Sequence, residues 1–296
     1  MHSDNHPLIS ILMTAFNRED FISDAIESVL NSTYKNFELI IVDDCSKDNT
    51  LQIAKDYANK DHRIRVYLNE KNLGDYPNRN KAASYAKGKY IKYLDADDTI
   101  YPWGIEVVVN YMEQFPEAGY GLDSIEPDHE KPFPILLNPF ETYHRNYFRS
   151  PVFDKAPSSS IIKNEIFKQY GGFNINRNIS DFEFWHKLSR KQNVLLMPHG
   201  IIWCRIHAGQ ESQLYRDNSV IIFKYSIVEI ESLKNNECPL PQNERELLIR
   251  KIERSQARGI LRSLLVERNI KNTKEKISLS GMNLLKALIY SFRKYE

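Results

Sequence analysis

A chain of 296 residues, 42% hydrophobic and 27% charged, has the composition of an ordinary soluble globular protein and can bury one large core or two smaller ones. Its three cysteines, Cys45, Cys204 and Cys238, follow no C-x-x-C spacing, so neither a disulfide framework nor a zinc site is suggested, and a reducing cytoplasm fits best. The formal net charge of +1 hides an asymmetry: residues 245–296 carry 13 Lys/Arg against 5 Glu, a local +8, leaving −7 for the rest.

The first seven residues are polar and lack the apolar run of a signal peptide. The longest uncharged stretch, Val194 to Cys204, contains Pro198 and falls short of the roughly 20 residues that a spanning helix needs. A soluble cytoplasmic protein is expected.

In chain order, Leu8 to Met13 reads as a buried strand. Asn17 is placed to cap the next helix, where Ile22, Ala25, Ile26, Val29 and Leu30 fall on one stripe at the helical period. Phe37 to Val42 is a second strand, ending in Asp43-Asp44. A helix follows from Thr50 to Asn59, then a strand from Ile64 to Leu68 and a helix from Tyr76 to Lys87. Gly88, suited to a left-handed helix end, leads into a strand at Tyr90 to Leu94.

That strand ends in Asp95-Ala96-Asp97-Asp98. Three carboxylates in four residues repel one another unless a cation sits among them. A hard divalent ion, Mg²⁺ or Mn²⁺, takes one or two carboxylates plus the phosphates of a substrate. The competing reading is an acidic turn capping the next helix, since Pro102 suits a first helical turn.

Strand-helix alternation implies an α/β fold with a mostly parallel sheet flanked by helices, and ligands there bind beyond the carboxyl ends of the strands. Three such ends carry polar residues: Thr14 to Asn17, Asp43-Asp44 and Asp95 to Asp98. Neither G-x-G-x-x-G nor G-x-x-x-x-G-K-[ST] occurs at the required places, which removes a Rossmann dehydrogenase and a P-loop NTPase.

Beyond Pro102 a helix runs to about Phe115 with Val107, Val108, Tyr111 and Met112 on its apolar side. Residues 123–157 lose periodicity and read as a long excursion. A strand at Ser158 to Ile162, a short helix at Lys163 to Tyr170 and a tight turn at Gly171-Gly172-Phe173 follow. Ser180 and Glu183 match a capping box ahead of a helix to about Lys191. Asp181, in its first turn, is free of that duty and could accept a proton from a nearby hydroxyl. Val194 to Met197 and Gly200 to Arg205 read as strands, the second leading to His207, which alone is an ordinary surface histidine.

The tail reads as a helix from Glu244 to Asn269 and another from Gly281 to Glu296, the second with Leu284, Leu285, Leu288, Ile289 and Phe292 on one side. Two readings stay open: packing on the main domain, or a basic amphipathic segment resting on anionic lipid.

Taken together, Leu12 to Arg18, Ile40 to Ser46, Asn72-Leu73-Gly74, Arg79-Asn80, Leu94 to Asp98, Gly171-Gly172-Phe173 and Asp181 to Trp185 resemble the inverting family-two glycosyltransferases of the GT-A fold, from about Leu8 to Gly209. The resemblance implies a GT-A catalytic domain over 1–215, with a nucleotide-binding half (1–100) and an acceptor-binding half (101–215), and a helical extension over 216–296. It implies that Thr14, Phe16 and Asp43 surround the nucleotide base, with Arg18 on the donor side. Arg79 would lie near the base or phosphates, Asp95 and Ala96 along the donor, and Asp97, with His207, at a Mn²⁺ or Mg²⁺ ion. Asp181 would be the catalytic base.

The implied reaction is single displacement from a nucleotide-sugar, UDP first, to a hydroxyl of a glycan or lipid-linked acceptor in surface polysaccharide synthesis. Peripheral membrane contact is a further expectation, and no nucleic-acid partner is. Three residues depart from the pattern: Cys45 stands where glycine is common, Tyr76-Pro77 replaces small residues, and Ser180 replaces an acid before Asp181. The rival readings are a catalytically silent binding protein on the same scaffold and a sugar-1-phosphate nucleotidyltransferase, whose glycine-rich phosphate loop is missing at Thr14 to Arg18.

Overall fold

The computed structural model describes residues 6–124, 131–175, 179–207 and 219–292. The expected domain boundary after residue 215, together with Ala208 and Gly209, lies outside the described residues. The chain divides into two compact units, one formed by Met1–Thr142 with Pro151–Ile206, the other by Tyr143–Ser150 with His207–Glu296.

In the first unit β1 (Ile9–Ala15), β2 (Phe37–Asp43) and β3 (Ile64–Leu68) alternate with α1 (Ile22–Leu30) and α2 (Thr50–Ala58). Continuous apolar runs in β1 and β2 suit strands covered on both faces, and β2 is buried along its whole length. After α3 (Asp75–Ser84) come β4 (Tyr90–Tyr93), β5 (Thr99–Ile100), α4 (Gly104–Gln114) and β6 (Ala118–Ser124). Then follow β7 (Ile135–Leu137), α5 (Pro139–Phe148), whose residues from Tyr143 on belong to the second unit, β8 (Ser160–Lys163), α6 (Asn164–Gln169), α7 (Ser180–Ser189), β9 (Asn193–Pro198) and β10 (Ile202–Trp203).

The eight-stranded sheet has the order β3-β2-β1-β4-β8-β6-β9-β7. Its first four strands are parallel, β8 runs antiparallel to both β4 and β6, β9 is parallel to β6, and β7 closes the edge antiparallel to β9. The α/β expectation holds, with the parallel half carrying the polar strand ends at Thr14–Asn17, Asp43-Asp44 and Asp95–Asp98. Because β8 reverses direction twice over, the carboxyl ends of β1, β2, β4 and β6 share one edge.

One core joins Ile9, Ile11, Met13, Leu39 and Ile41 to Ile22, Ala25, Ile26 and Val29 of α1 and Ile105, Val108, Val109 and Met112 of α4. Each large aliphatic side chain buried there contributes about 1.5–3 kcal/mol. The α4 stripe is rotated from the one expected: Val109 is buried, and Val107 is only partly so. β4 turns Tyr90 and Leu94 into this core and, by alternation, Tyr93 toward an aromatic cluster with Phe167 and Phe173. Phe173 in turn meets Phe184 and Trp185 of α7.

Several local expectations are corrected. Asn17 does not cap α1; it takes a left-handed conformation at φ 53°, and its side chain accepts from the Lys47 amide. Gly88 is not left-handed either. It is needed because a Cβ there would lie 2.7 Å from the Ser10 amide nitrogen and 2.8 Å from the Leu8 carbonyl oxygen. The 123–157 excursion contains β7 and α5, and residues 125–130 of it lie outside the described residues. β6 escaped notice because Gly119 and Gly121 interrupt its pattern; at Gly121 a Cβ would meet the Met197 methyl at 2.8 Å. The capping box is not formed, since Ser180 is the first helical residue and Ile179 the N-cap without a side-chain cap.

The second unit is helical: α8 (Ser219–Lys234), α9 (Gln242–Leu265), α10 (Ile270–Ser280) and α11 (Leu284–Ser291). Its core is Phe223, Ala257, Ile260, Met282 and Ala287. Tyr143 joins it through a hydroxyl contact to Ser232 at 2.7 Å. The single helix expected to Asn269 stops at Leu265, and Asn269 instead caps α10 by accepting from the Asn272 amide. Among the described residues no helix is long and apolar enough to cross a membrane.

Candidate active site

The site is assembled at the carboxyl edge of the parallel strands, where short loops leave the backbone. β1 and β2 end in register, Ala15 opposite Asp43. Beyond β1, Phe16 is exposed and Asn17 and Arg18 turn back toward the 44–50 loop, the Arg18 amide donating to Thr50 Oγ1 at 2.7 Å. Thr14 lies half-buried in β1 opposite Val42.

The two acids ending β2 have different duties. Asp44 is a buried hub whose carboxylate accepts from the amides of Leu73 and Gly74 at 2.8 and 2.9 Å and from Asn69 Nδ2 at 2.7 Å. This fixes the Asn72-Leu73-Gly74 loop ahead of α3. Asp43 accepts from the Ser46 amide at 2.9 Å through Oδ1, and its Oδ2 is buried with no hydrogen-bond partner. Cys45, between these loops, adopts φ 66°, the left-handed region that favours glycine, so the departure at this position preserves a backbone shape at some strain.

Asp95, Asp97 and Asp98 do not cap α4, which begins only at Gly104 with Trp103 as N-cap. Each is held by an arginine. Arg79 Nη2 reaches Asp95 Oδ1 at 2.7 Å while its Nε reaches Asp75 at 2.8 Å. Arg18 Nε reaches Asp97 Oδ2 at 2.9 Å. The Arg205 amide donates to Asp98 Oδ1 at 3.0 Å, and its guanidinium spans the Asp97 carbonyl at 3.2 Å and Asp24 at 2.7 Å. Ala96 is buried and its methyl joins the apolar core, so only its backbone can face a donor.

Burial pushes Asp95 up, with Arg79 opposing. Asp98 is raised to about 6 by burial and then by Asp95. For Arg79, burial disfavours the charge, but Asp75 and Asp95 more than offset it and hold the guanidinium well above its ordinary value. One of its nitrogens, Nη1, is buried without a partner.

Asp181 sits in the first turn of α7. Burial raises its carboxyl to about 6, opposed by its bond from the Phe182 amide, a hydrogen bond from the Tyr76 hydroxyl and the charge of Arg79. The same field thus reaches Asp95 and Asp181 through one guanidinium. α3 also ties α7's approach in place: Asn80 Nδ2 donates to the Phe173 carbonyl at 2.7 Å and Asn80 Oδ1 accepts from the Phe173 amide at 2.9 Å, clamping the Gly171-Gly172-Phe173 turn. Tyr76, in the first turn of α3, supplies the hydroxyl that bonds Asp181. Glu183 instead accepts from Asn174 Nδ2 at 3.1 Å.

His207, half-buried, falls in the second compact unit, whereas the other named site residues fall in the first. Asp123 was missed. It ends β6 at the same sheet edge, with one carboxylate oxygen buried and unpartnered, and is raised to about 6 by burial against the opposing charges of Lys92, His199 and Lys155. Its signal was a third acid at a strand end, hidden by the two glycines before it.

The oxygen donors suit a hard divalent cation, and the guanidinium of Arg18 already places positive charge against Asp97. Among the described residues no three His, Cys, Asp or Glu side chains group around a metal position. An ion there would complete its shell with substrate oxygens, the usual habit of Mg²⁺ at one or two carboxylates.

This edge, with its strand-end acids and the clamp between α3 and α7, coincides with a family match over residues 10–171 to Glycosyl transferase family 2. The chain belongs to that family. It is similar to an uncharacterized glycosyltransferase of Haemophilus influenzae, 28% identical over 225 residues, covering 72% of this chain and 69% of that one. A Methanocaldococcus jannaschii glycosyltransferase, also uncharacterized, is 32% identical over 60% of this chain and 63% of its own length. TuaG of Bacillus subtilis, provisionally named as a teichuronic acid biosynthesis glycosyltransferase, is 38% identical over 39% of this chain and 48% of its own.

Among solved structures, Staphylococcus aureus TarS 1–349 in complex with UDP-GlcNAc superposes with a TM-score of 0.70 at 18% identity, over 94% of this chain and 81% of that one. The mannosyltransferase PcManGT of Pyrobaculum calidifontis, in complex with GDP-Man and Mn²⁺, gives 0.60 at 13% identity, over 97% and 79%. These likenesses establish the GT-A glycosyltransferase fold, and family membership makes this chain a glycosyltransferase.

Proposed function

We propose that this glycosyltransferase moves a sugar from a nucleotide diphosphate, UDP, to a hydroxyl of a glycan or lipid-linked acceptor in surface polysaccharide synthesis, with inversion at the anomeric carbon, on the cytoplasmic side. The observation that carries this reading is the placing of Asp181 and Asp95 in the field of one buried arginine, Arg79. A carboxyl at about 6 is ionised at neutral pH yet basic enough to accept a proton from an acceptor hydroxyl.

Asp43, with its unpartnered Oδ2, offers an acceptor to a base N–H, with Thr14 and Phe16 around it. Arg79, with a spare Nη1, and Arg18 offer donors to phosphate oxygens, and Asp95, with the Ala96 backbone beside it, would face the ribose. Asp97 would hold Mn²⁺ or Mg²⁺. Such an ion stabilises a departing diphosphate as a Lewis acid, so one carboxylate on the acceptor side suffices. A glycosidase needs a second, protonated carboxyl. TarS with UDP-GlcNAc supports a UDP-sugar, PcManGT with Mn²⁺ supports the metal, and TuaG supports a surface polymer.

The test is a thermal-shift panel of UDP-, GDP- and dTDP-sugars with and without Mn²⁺, followed by nucleotide release from the sugar that binds. A ligand raises apparent stability according to its affinity. Metal-enhanced stabilisation by a UDP-sugar, with release of UDP once acceptor is added, is expected. Binding without any release would favour a silent binding protein.

A further inference from the structure

α11 is turned the wrong way round for a helix of a water-soluble unit. Its small residues, Ala287 and Ser291, are buried, and its large apolar ones face out. Leu284 is 43% exposed, Leu285 68%, Leu288 49%, Ile289 60% and Phe292 77%. Their spacing of one, four, five and eight residues puts them on a single face. The small side of the helix is the one packed inward, Ala287 lying in one buried cluster with Ala257 and Ile260 of α9.

Cationic groups border this face. Lys286 stands on α11 itself with its ammonium 5.1 Å from the centre of the Tyr290 ring. Arg254 and Arg258 of α9 donate to the Ser291 carbonyl at 3.3 and 3.4 Å, next to Phe292. Arg293 and Lys294 follow in the sequence, and α11 holds no acid.

We propose that this face of α11 is a docking surface for an anionic lipid bilayer, with the apolar side chains entering the interfacial region and the basic ones meeting headgroup charge. The charge decides between occupants. A symmetric pair of copies would place the same patch against itself, bringing two segments of +8 together. A bilayer surface carrying anionic lipid neutralises that charge and accepts the apolar strip at once. The inference goes beyond the proposed transfer reaction and does not depend on it.

The experiment is co-sedimentation of the full chain with vesicles of phosphatidylcholine alone or of phosphatidylcholine mixed with phosphatidylglycerol, at low and high salt. Binding to the mixed vesicles is expected, weakening at least tenfold when salt shortens the Debye length from about 10 Å to about 3 Å. The double variant L285E/I289E changes exposed positions only and should keep its thermal unfolding midpoint while losing vesicle binding tenfold or more. K286E should weaken binding to the anionic vesicles and leave the monomer mass unchanged.

Absence of salt-sensitive binding by the full chain overturns the proposal. So does a full-length protein that is dimeric in light scattering and becomes monomeric in L285E/I289E with vesicle binding intact, which would make the occupant a second copy. Should that double variant unfold, L288Q and F292S, changed singly, carry the same readout.

Discussion

Arg79 holds Asp95 and Asp75 at once, Nη2 to one at 2.7 Å and Nε to the other at 2.8 Å, from a side chain that is 9% exposed. α3 places it there because the Gly74 turn, pinned by Asp44, starts the helix four residues earlier. Lysine has no fork with which to serve two carboxylates. Arg79→Lys should therefore lower stability by about 1–3 kcal/mol and weaken nucleotide binding, because two acids are left facing each other. Urea unfolding reads the first effect and a UDP thermal shift the second. An unchanged midpoint with unchanged slope would remove Arg79 from its place as organiser.

The carboxyl of Asp181 gives a pH prediction with a definite sign. At about 6 it is protonated below that value and ionised above, so transfer should rise through pH 6 and level off. Asp181→Asn should slow transfer on the order of 10²-fold or more and remove that rise, leaving donor binding near normal. Glu183→Gln, whose side chain accepts from Asn174, should do far less. Stability runs the other way. A folded value above the unfolded one of about 3.9 contributes stability at low pH that is lost as pH rises through 6. Asp181→Asn should thus be relatively more stable than the parent at neutral pH, as read by melting at pH 5 and 8. Reversed roles for the two acids in transfer assays would exchange their assignments.

Much of this site was legible because strand ends announce themselves. Apolar runs at Leu8 to Met13 and Phe37 to Val42 each end in polar residues, and the sheet sets those ends side by side. What was hidden was hidden for physical reasons. β6 has glycines where its neighbours Gln192 and Met197 crowd it, so it carries no strand pattern and Asp123 went unnoticed. Ser180 and Glu183 have capping-box spacing, yet the helix begins one residue too early to use it. The partners of Asp95 and Asp97 come from 16 and 79 residues away, a pairing that no local pattern encodes. The apolar stripe of α11 was legible as a stripe, but its outward direction depends on which side of the helix packs inward with α9.

Arg18 and Asp97 form the contact that a metal would have to share. Their 2.9 Å bond occupies one carboxylate oxygen, so ion binding should be accompanied by a shift of the Arg18 side chain. Asp97→Asn should abolish turnover and the Mn²⁺ dependence of UDP binding while leaving the melting temperature without ligand nearly unchanged, since the loop lies at a strand end. Isothermal titration of UDP with and without Mn²⁺ supplies the comparison. If the variant still bound UDP more tightly with Mn²⁺, Asp97 would be no ligand.

Asp43 and Asp44 are adjacent, both buried, and should fail in opposite ways. Asp44 accepts three hydrogen bonds, two of them from the backbone amides of Leu73 and Gly74, the second shared with Asn72 Oδ1. Hydrogen bonds to a charged group contribute about 1.5–3 kcal/mol each, but they are not additive. Asp44→Ala should cost about 3–5 kcal/mol and loosen the loop ahead of α3, with faster amide exchange at Leu73 and Gly74. Asp43 spends one oxygen on Ser46 and keeps the other idle. An unused buried oxygen is a cost in the absence of ligand, so Asp43→Asn should leave stability within about 1 kcal/mol of the parent. It should instead weaken UDP binding by tenfold or more, since an amide cannot be relied on to accept where the carboxylate did. Comparable destabilisation by both substitutions, with equal nucleotide affinity, would show that the idle oxygen of Asp43 belongs to the scaffold.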